Sequence, residues 1–584
     1  MSRPEFDLTD PAAPAAPSDH TDHTDTTDVT GNQPSTVTEQ FALAESAYGD
    51  RPALRSALTG PGRRCGWLTF SEVAELAGAA VAHLVEHGAA FGDRVVLALP
   101  NSMVLRILDR AVLGSGLVRV ALSPRLHARE IADIALDCGA RAVCCSPGAA
   151  EEIGAALTAV GSAAAVIGCA DGTPHPGRPP ATLTPASLAA SPPSPPVTPR
   201  PTASRTGAPW PAPAPSDIAM LMYSSGTTGR PKGAVVTHRT WVAQTRRALR
   251  ELPLTGPGDV VLAVAPMSHF GGSIGLDCAV SGAATVTMPR FEPRAVLEAV
   301  ERYGVTVLPL APIMLERLAL AAVGVTGPLR GVRVVPYGGS PIIAESLALA
   351  EKLFPGALTQ FYGLAEALAP LTVLSPADHA TGVPGRLASA GRVSTGVELR
   401  LVDGEIVVRS DTVMTGYWNR PELTAAVLSD GWFRTGDLAH LDPDGYVHLN
   451  GRSSDMIVTG GFNVHPAEVE RVLAGVPGIR DVAVVGMPHP VWGEGVTAAV
   501  ELDGDRWGAA DDVADRDVIL AGINRACRSA IAGYKKPVAV HRVPEIPRNA
   551  AGKTDRKALR HLLSGLSDPY GTPDPTDPSG REEH

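Results

Sequence analysis

The sequence has no dense run of basic residues, and its formal charge is -11, so nucleic acid is not an expected partner. None of its cysteines (Cys65, Cys138, Cys144, Cys145, Cys169, Cys278 and Cys527) forms a Cys-x-x-Cys pair, which argues against a zinc site. Scattered thiols in a long chain also argue against a disulfide framework, and the adjacent pair Cys144 and Cys145 reads as buried filler. The opening residues lack a basic stretch followed by an apolar core, so no signal peptide is expected. No apolar run is long enough to span a bilayer, so no integral membrane segment is expected. These absences leave a cytoplasmic enzyme as the expectation. A Walker phosphate loop is missing too. From Gly226 its spacing lands on Pro231 and Lys232, and the triplet Gly552–Thr554 would need a glycine where Pro547 stands.

What is present is a 584-residue chain, 44% hydrophobic and 19% charged, which is enough for more than one domain. Three stretches are too polar and proline-rich to bury a core: residues 1–35, 171–216 and 565–584. They read as a disordered tail, a disordered insertion and a second tail. The His20, Asp22, His23 and Asp25 tract falls in the first and reads as tail rather than metal site. Between these stretches, short apolar runs alternate with helical periodicity. "DIAMLMY" reads as a strand, and "THRTWVAQTRRALREL" as a helix capped by Thr237. Strands are expected at "DVVLAVAP", "ATVTMPR", "VTVLPL", "GVRVVPYGG" and "LTQFYG", with helices between them, which implies βαβ units and a largely parallel sheet. Near residue 390 the style changes, with hairpins expected at Asp403-Gly404 and Asp444-Gly445. The chain is therefore α/β. A large N-terminal domain of βαβ-type sheets with a small barrel-like β part spans 36–451, and a small α+β domain spans 452–564.

The stretch "YSSGTTGRPKG" (223–233) places six consecutive Ser, Gly and Thr residues before Lys232, directly after an apolar strand. Gly226, Gly229 and Gly233 permit backbone conformations that turn N–H groups inward. Ser224, Ser225, Thr227 and Thr228 add hydroxyls, and Lys232 adds charge, so the loop suits a bound anion.

That stretch closely resembles a signature of the adenylate-forming (AMP-binding) superfamily, of the acyl-CoA and aryl-CoA synthetase type. Four further segments resemble that family in its own order: "QFYGLAEA" (360–367), "RTGDL" (434–438), "GRSSDMIVTGGFNVHPAEVE" (451–470) and "PRNAAGKTDRKAL" (547–559). The resemblance covers roughly residues 40–562 and implies a two-step reaction. A carboxylate attacks the α-phosphate of ATP and releases pyrophosphate, then the thiol of coenzyme A takes the acyl group. Negative charge builds on oxygens in both steps, so positioning and electrostatics should dominate catalysis.

By that resemblance Ser224, Ser225, Gly226, Thr227, Thr228 and Lys232 cradle the β- and γ-phosphates, and Tyr362 with Gly363 lies on the adenine. Gly338, Gly339 and Ser340 edge the base and the acyl pocket. Thr228 and Glu366 hold Mg²⁺, a hard cation that takes carboxylate and phosphate oxygens. Asp437 accepts from the ribose hydroxyls and Arg452 adds a contact. Lys553 neutralises charge at the α-phosphate. Family members rotate the small domain between the two steps. The hinge position here is Ser454, and Gly460 and Gly461 would then line the coenzyme A channel. His269 matches an aromatic or histidine gate.

Two features depart from the wider family. Ala365 stands where a threonine is usual, removing a hydroxyl that could bond the α-phosphate. Gly271 stands where amino-acid-activating relatives carry an aspartate. The expected pocket of Phe270, Gly271, Gly272, Ser340, Leu364 and Ala365 is small and apolar, which suits an aryl or short- to medium-chain carboxylic acid. Two alternative activities stay open: loading a carrier protein, and activating nitrite to diazotise an aryl amine. The intact Lys232, Glu366, Asp437 and Lys553 speak against a nucleotide-binding pseudoenzyme.

Overall fold

The computed structural model describes residues 33–57, 66–169, 183–185, 210–225, 231–252, 255–340, 342, 344–452, 455–459, 462–489, 492–502, 513–549 and 552–566. Most of the proline-rich insertion and both expected tails lie outside these residues, as does the His20–Asp25 tract. The chain divides into two compact units. The first comprises 1–399, 407–435 and 445–447; the second comprises 400–406, 436–444 and 448–584. The division thus crosses the hairpin region repeatedly instead of falling at one point.

The first unit holds a seven-stranded sheet and two four-stranded sheets. In the largest, Ala165–Cys169, Ala142–Cys145, Arg94–Ala98 and Val118–Ala121 run parallel. Each strand is short and nearly continuous in apolar residues, as expected when helices cover both faces of a sheet. Cys144 and Cys145 lie in its interior with no exposure, and all six described cysteines are buried and free. At the other side of this sheet, Ile218–Ser225 and Pro231–Thr237 form an antiparallel pair. The helix His238–Glu251 follows at once, with the Thr237 side chain accepting from the Thr240 N–H as its cap.

The parallel pair Val335–Gly338 and Leu358–Tyr362 belongs to another sheet. The expected strand "VTVLPL" makes only isolated bridges, Val307 to Val261 and Val334, and Leu310 to Tyr337. Pro309 and Pro336 supply no N–H, so the ladder on either side of this extended segment is interrupted. At the Asp403-Gly404 turn both residues take left-handed φ values, 52° and 79°, between strands Glu398–Val402 and Glu405–Arg409. This is the conformation that makes Asp-Gly a hairpin signal.

The second unit contains the sheet of Ile457–Thr459, Phe462–Val464, Ile479–His489, Gly493–Leu502 and Ala539–Arg542. Val464, Val469, Leu473, Val484, Val496 and Ile523 pack its core with helices Pro466–Ala474 and Val513–Ala530. No described helix is long and apolar enough to cross a membrane.

Candidate active site

In the first unit, the segments that begin at Gly338 and Tyr362 leave the carboxyl ends of a parallel strand pair, where open α/β sheets bind ligands. Gly338 pairs in register with Phe361, so the turn Gly338–Ser340 and the segment Tyr362–Glu366 leave the sheet side by side. The approach is close: a Cβ on Gly338 would stand 2.2 Å from the Phe361 carbonyl oxygen, so only glycine fits. Gly339 has φ +91° with open space where a side chain would be. Tyr362 is buried, at 8% exposure. Gly363, Leu364 and Ala365 are half-buried, and the Leu364 N–H donates to the Ala367 carbonyl at 2.8 Å, closing a turn that presents Glu366.

Ser224 sits opposite Lys232, and Ser225 opposite Pro231, on the two arms of a hairpin. Its tip, with Gly226, Thr227 and Thr228, lies outside the described residues, as does the Ser225 side chain. The base is anchored by Tyr223, whose hydroxyl donates to Asp137 Oδ2 at 2.6 Å; Arg420 donates to Asp137 Oδ1 at 2.5 Å.

Lys232 Nζ meets Glu366 Oε1 at 3.0 Å. Burial, the largest single influence, would push the Glu366 carboxyl up. The Lys232 charge and the hydrogen bonds from Lys232 and Tyr417 outweigh it and hold the group below the usual carboxylate range. A carboxylate kept ionised beside a lysine is a donor of the kind a hard metal ion uses, and Mg²⁺ typically takes one or two carboxylates plus substrate phosphates. The residues present therefore fit Mg²⁺ arriving with a nucleotide.

Tyr417 is the residue that reading the sequence missed. Its hydroxyl lies 2.6 Å from Lys232 Nζ and 3.0 Å from Glu366 Oε1. The segment around it runs antiparallel to the Lys232 strand, with Val235 N–H donating to Gly416 O and Trp418 N–H to Gly233 O. The Met414 N–H reaches the Glu366 carbonyl at 2.8 Å, so one stretch of chain is tied to both Lys232 and Glu366. In sequence, Tyr417 is merely an aromatic residue ahead of an Asn-Arg-Pro turn, and nothing about it differs from a core tyrosine.

The expected acyl pocket is only partly gathered. Phe270 starts the helix Phe270–Val280 and meets Phe361 edge-on, with centroids 6.2 Å apart, which brings it beside the Gly338 and Tyr362 strands. His269 precedes it at the cap position, its Nδ1 2.8 Å from Ser268 Oγ. Gly271 and Gly272 are buried against their own preceding loop. A Cβ at Gly271 would lie 2.6 Å from Ala265 Cβ, and one at Gly272 only 1.8 Å from the Met267 carbonyl oxygen. Close backbone packing accounts for these two glycines. Ser340 is half-buried after the Gly338 strand.

In the second unit, Asp437 is buried at 8% exposure, and Arg452 Nε donates to its Oδ1 at 2.9 Å. Lys553 is exposed on the turn closed by the Arg548 and Thr554 bridge. There Asn549 Oδ1 accepts from the Lys553 N–H at 3.1 Å, and the Asn549 N–H donates to the Lys553 carbonyl at 2.8 Å. Ser454, Gly460 and Gly461 lie outside the described residues.

The chain matches the model of the AMP-binding enzyme family over residues 41–418, and that of the AMP-binding enzyme C-terminal domain over residues 468–553. It is 38% identical to a feruloyl-CoA synthase of an Amycolatopsis species over 360 residues, 59% of this chain and 70% of that protein. It is 30% identical to a long-chain-fatty-acid–CoA ligase of Mycobacterium tuberculosis over 511 residues, 85% of this chain and 93% of the ligase. Among solved structures, the amide bond synthetase McbA from Marinactinospora thermotolerans superposes with a TM-score of 0.74 at 28% identity, covering 90% of this chain and all 100% of McbA. With both family models matched in order on a fold of this shape, this chain belongs to the AMP-binding enzyme family.

Proposed function

We propose that the protein is an AMP-forming acid–thiol ligase. It activates an aryl or short- to medium-chain carboxylic acid with ATP and passes the acyl group to coenzyme A. One observation carries this reading: Lys232 is joined at 3.0 Å to the buried carboxylate of Glu366, shortly after the strand Leu358–Tyr362 that pairs with Val335–Gly338. Family membership and CoA-ligase relatives support it.

In the first step the substrate carboxylate oxygen forms a bond to the α-phosphorus. The bond from that phosphorus to the bridging oxygen breaks, and pyrophosphate leaves with the electron pair. Lys232 and the Ser224–Thr228 hairpin hold the departing phosphates, and Lys553 offsets charge at the α-phosphate. Mg²⁺, held by Glu366 and Thr228, would supply further neutralisation of the phosphate oxygens. Tyr362 and Gly363 bear on the adenine, and Asp437 and Arg452 on the ribose. In the second step the coenzyme A sulfur attacks the acyl carbonyl and AMP leaves. The small domain turns about Ser454 to bring Gly460 and Gly461 to the thiol channel, with His269 gating it.

The test is mass spectrometry of the products after incubation with ATP, Mg²⁺, coenzyme A and a mixed library of acids. Acyl-CoA and AMP in equal yield are expected. Acyl-adenylate that turns over only when a phosphopantetheinylated carrier protein or an amine replaces coenzyme A would overturn the acceptor. No AMP from any acid, with AMP appearing on nitrite and an aryl amine, would overturn the substrate class.

A further inference from the structure

We propose that Tyr417 is a positioning residue of the metal and triphosphate site, its hydroxyl bridging the Lys232–Glu366 ion pair so that a divalent cation can open it. This inference rests on the reading of that site given above.

The direction of each hydrogen bond follows from the groups themselves. A carboxylate only accepts and an ammonium only donates, whereas a phenol does both. The Tyr417 hydroxyl therefore donates to Glu366 Oε1 at 3.0 Å and accepts from Lys232 Nζ at 2.6 Å. Lys232 also meets Oε1, so both partners fall on the same carboxylate oxygen. Three separate stretches of chain converge here: the Lys232 strand, the turn after Tyr362, and the Met414–Trp418 segment. Tyr417 is fixed on its own account, buried at 6% exposure and with its N–H donating to Thr424 Oγ1 at 2.9 Å.

The consequence concerns what happens when nucleotide and cation arrive together. A cation on Glu366 competes with Lys232 for the same negative charge, while the phosphates compete with Glu366 for Lys232. Were the lysine and carboxylate paired alone, each would have to give up its only counter-group before either exchange. The phenol gives Lys232 a neutral acceptor and Glu366 a neutral donor through the exchange, so neither partly buried charge is stranded. Its removal leaves a tighter pair that Mg²⁺ opens less readily.

The test is equilibrium binding of ATP to the full-length protein by calorimetry, with Mg²⁺ varied, for wild type, Tyr417→Phe and Glu366→Gln. Tyr417→Phe should raise the Mg²⁺ concentration for half-maximal ATP binding about tenfold, the scale of one hydrogen bond to a charged group. The KM for the acid should move less than about twofold. An unchanged Mg²⁺ requirement in Tyr417→Phe, with the requirement lost in Glu366→Gln, overturns the role of Tyr417 and leaves the site intact. If Glu366→Gln keeps the wild-type requirement, the metal site itself is misassigned. Should the phenylalanine variant fail to fold, Tyr417→Met, which also lacks the hydroxyl, carries the same comparison.

Discussion

Removing the Lys232 charge should make nucleotide binding sensitive to pH in a range where the wild type is flat. The Glu366 carboxyl lies under two opposed influences, burial that raises it and Lys232 that lowers it. In the wild type the second prevails. The carboxylate is then ionised throughout the neutral and weakly acidic range and loses its charge only below the ordinary carboxylate value. In Lys232→Met, burial acts with only the Tyr417 hydrogen bond and a backbone hydrogen bond against it, and the carboxyl rises. As pH falls through the weakly acidic range it then takes up a proton, and a protonated carboxyl is a poor ligand for Mg²⁺. The 3.0 Å separation corresponds to about 5 kcal/mol at an effective dielectric constant of 20. The Lys232 side chain is 28% exposed, so solvent screening reduces this to about 2 kcal/mol, or about thirtyfold in affinity. Binding of ATP with saturating Mg²⁺ should be measured by calorimetry at several values from pH 5.5 to 8.5. The ratio of variant to wild-type affinity removes the titration of ATP itself. That ratio should fall as pH is lowered, by a few-fold at pH 5.5, because the full change of about thirtyfold develops only below the titration of the wild-type carboxyl itself. A ratio constant across the series would refute the claim that Lys232 keeps Glu366 ionised.

Lys553→Ala should reduce ATP–pyrophosphate exchange by about a hundredfold or more, with ATP affinity changed only slightly, because a charge at the α-phosphate matters most in the transition state; unchanged exchange would remove this lysine from the first step. Burial pushes the Asp277 carboxyl up to about 7, partly opposed by hydrogen bonds from Gln244 and Thr245 and by the nearby Arg106. Its folded value lies above its unfolded one, so stability falls as pH rises from about 4 to about 7 and is level above that. Asp277→Asn removes this slope and should gain up to about 4 kcal/mol relative to wild type between pH 4 and pH 8; parallel melting curves across that range would contradict it. Gly272→Ala forces a methyl group within 1.8 Å of the Met267 carbonyl oxygen and should cost about 2–3 kcal/mol. A lower melting temperature is the expected sign, and an unchanged one would mean the Ala265–Met267 loop yields freely.

Much of the fold was readable in advance. The capped helix after Thr237, the Asp403-Gly404 hairpin and the apolar strands Arg94–Ala98 and Ala142–Cys145 follow from local rules of capping, turn conformation and periodicity. The segment Val305–Leu310 was misread because its apolar run has strand character, but Pro309 within it and Pro336 beside it break the ladder. Gly271 and Gly272 are expected in the pocket on sequence grounds, where glycine shows only a missing side chain. What occupies the missing volume, here Ala265 and Met267, is a matter of packing.

The family is legible in the primary structure, because five short segments must occur in order to serve one nucleotide, and that order survives along the chain. The sequence also named Lys232 and Glu366 as separate members of the site. That these two are joined to each other, with the Tyr417 hydroxyl touching both, emerges from the folded chain alone. Hydrogen bonds between residues far apart in the chain depend on which strands lie side by side. No local pattern marks a tyrosine whose hydroxyl, rather than its ring, is the part that matters.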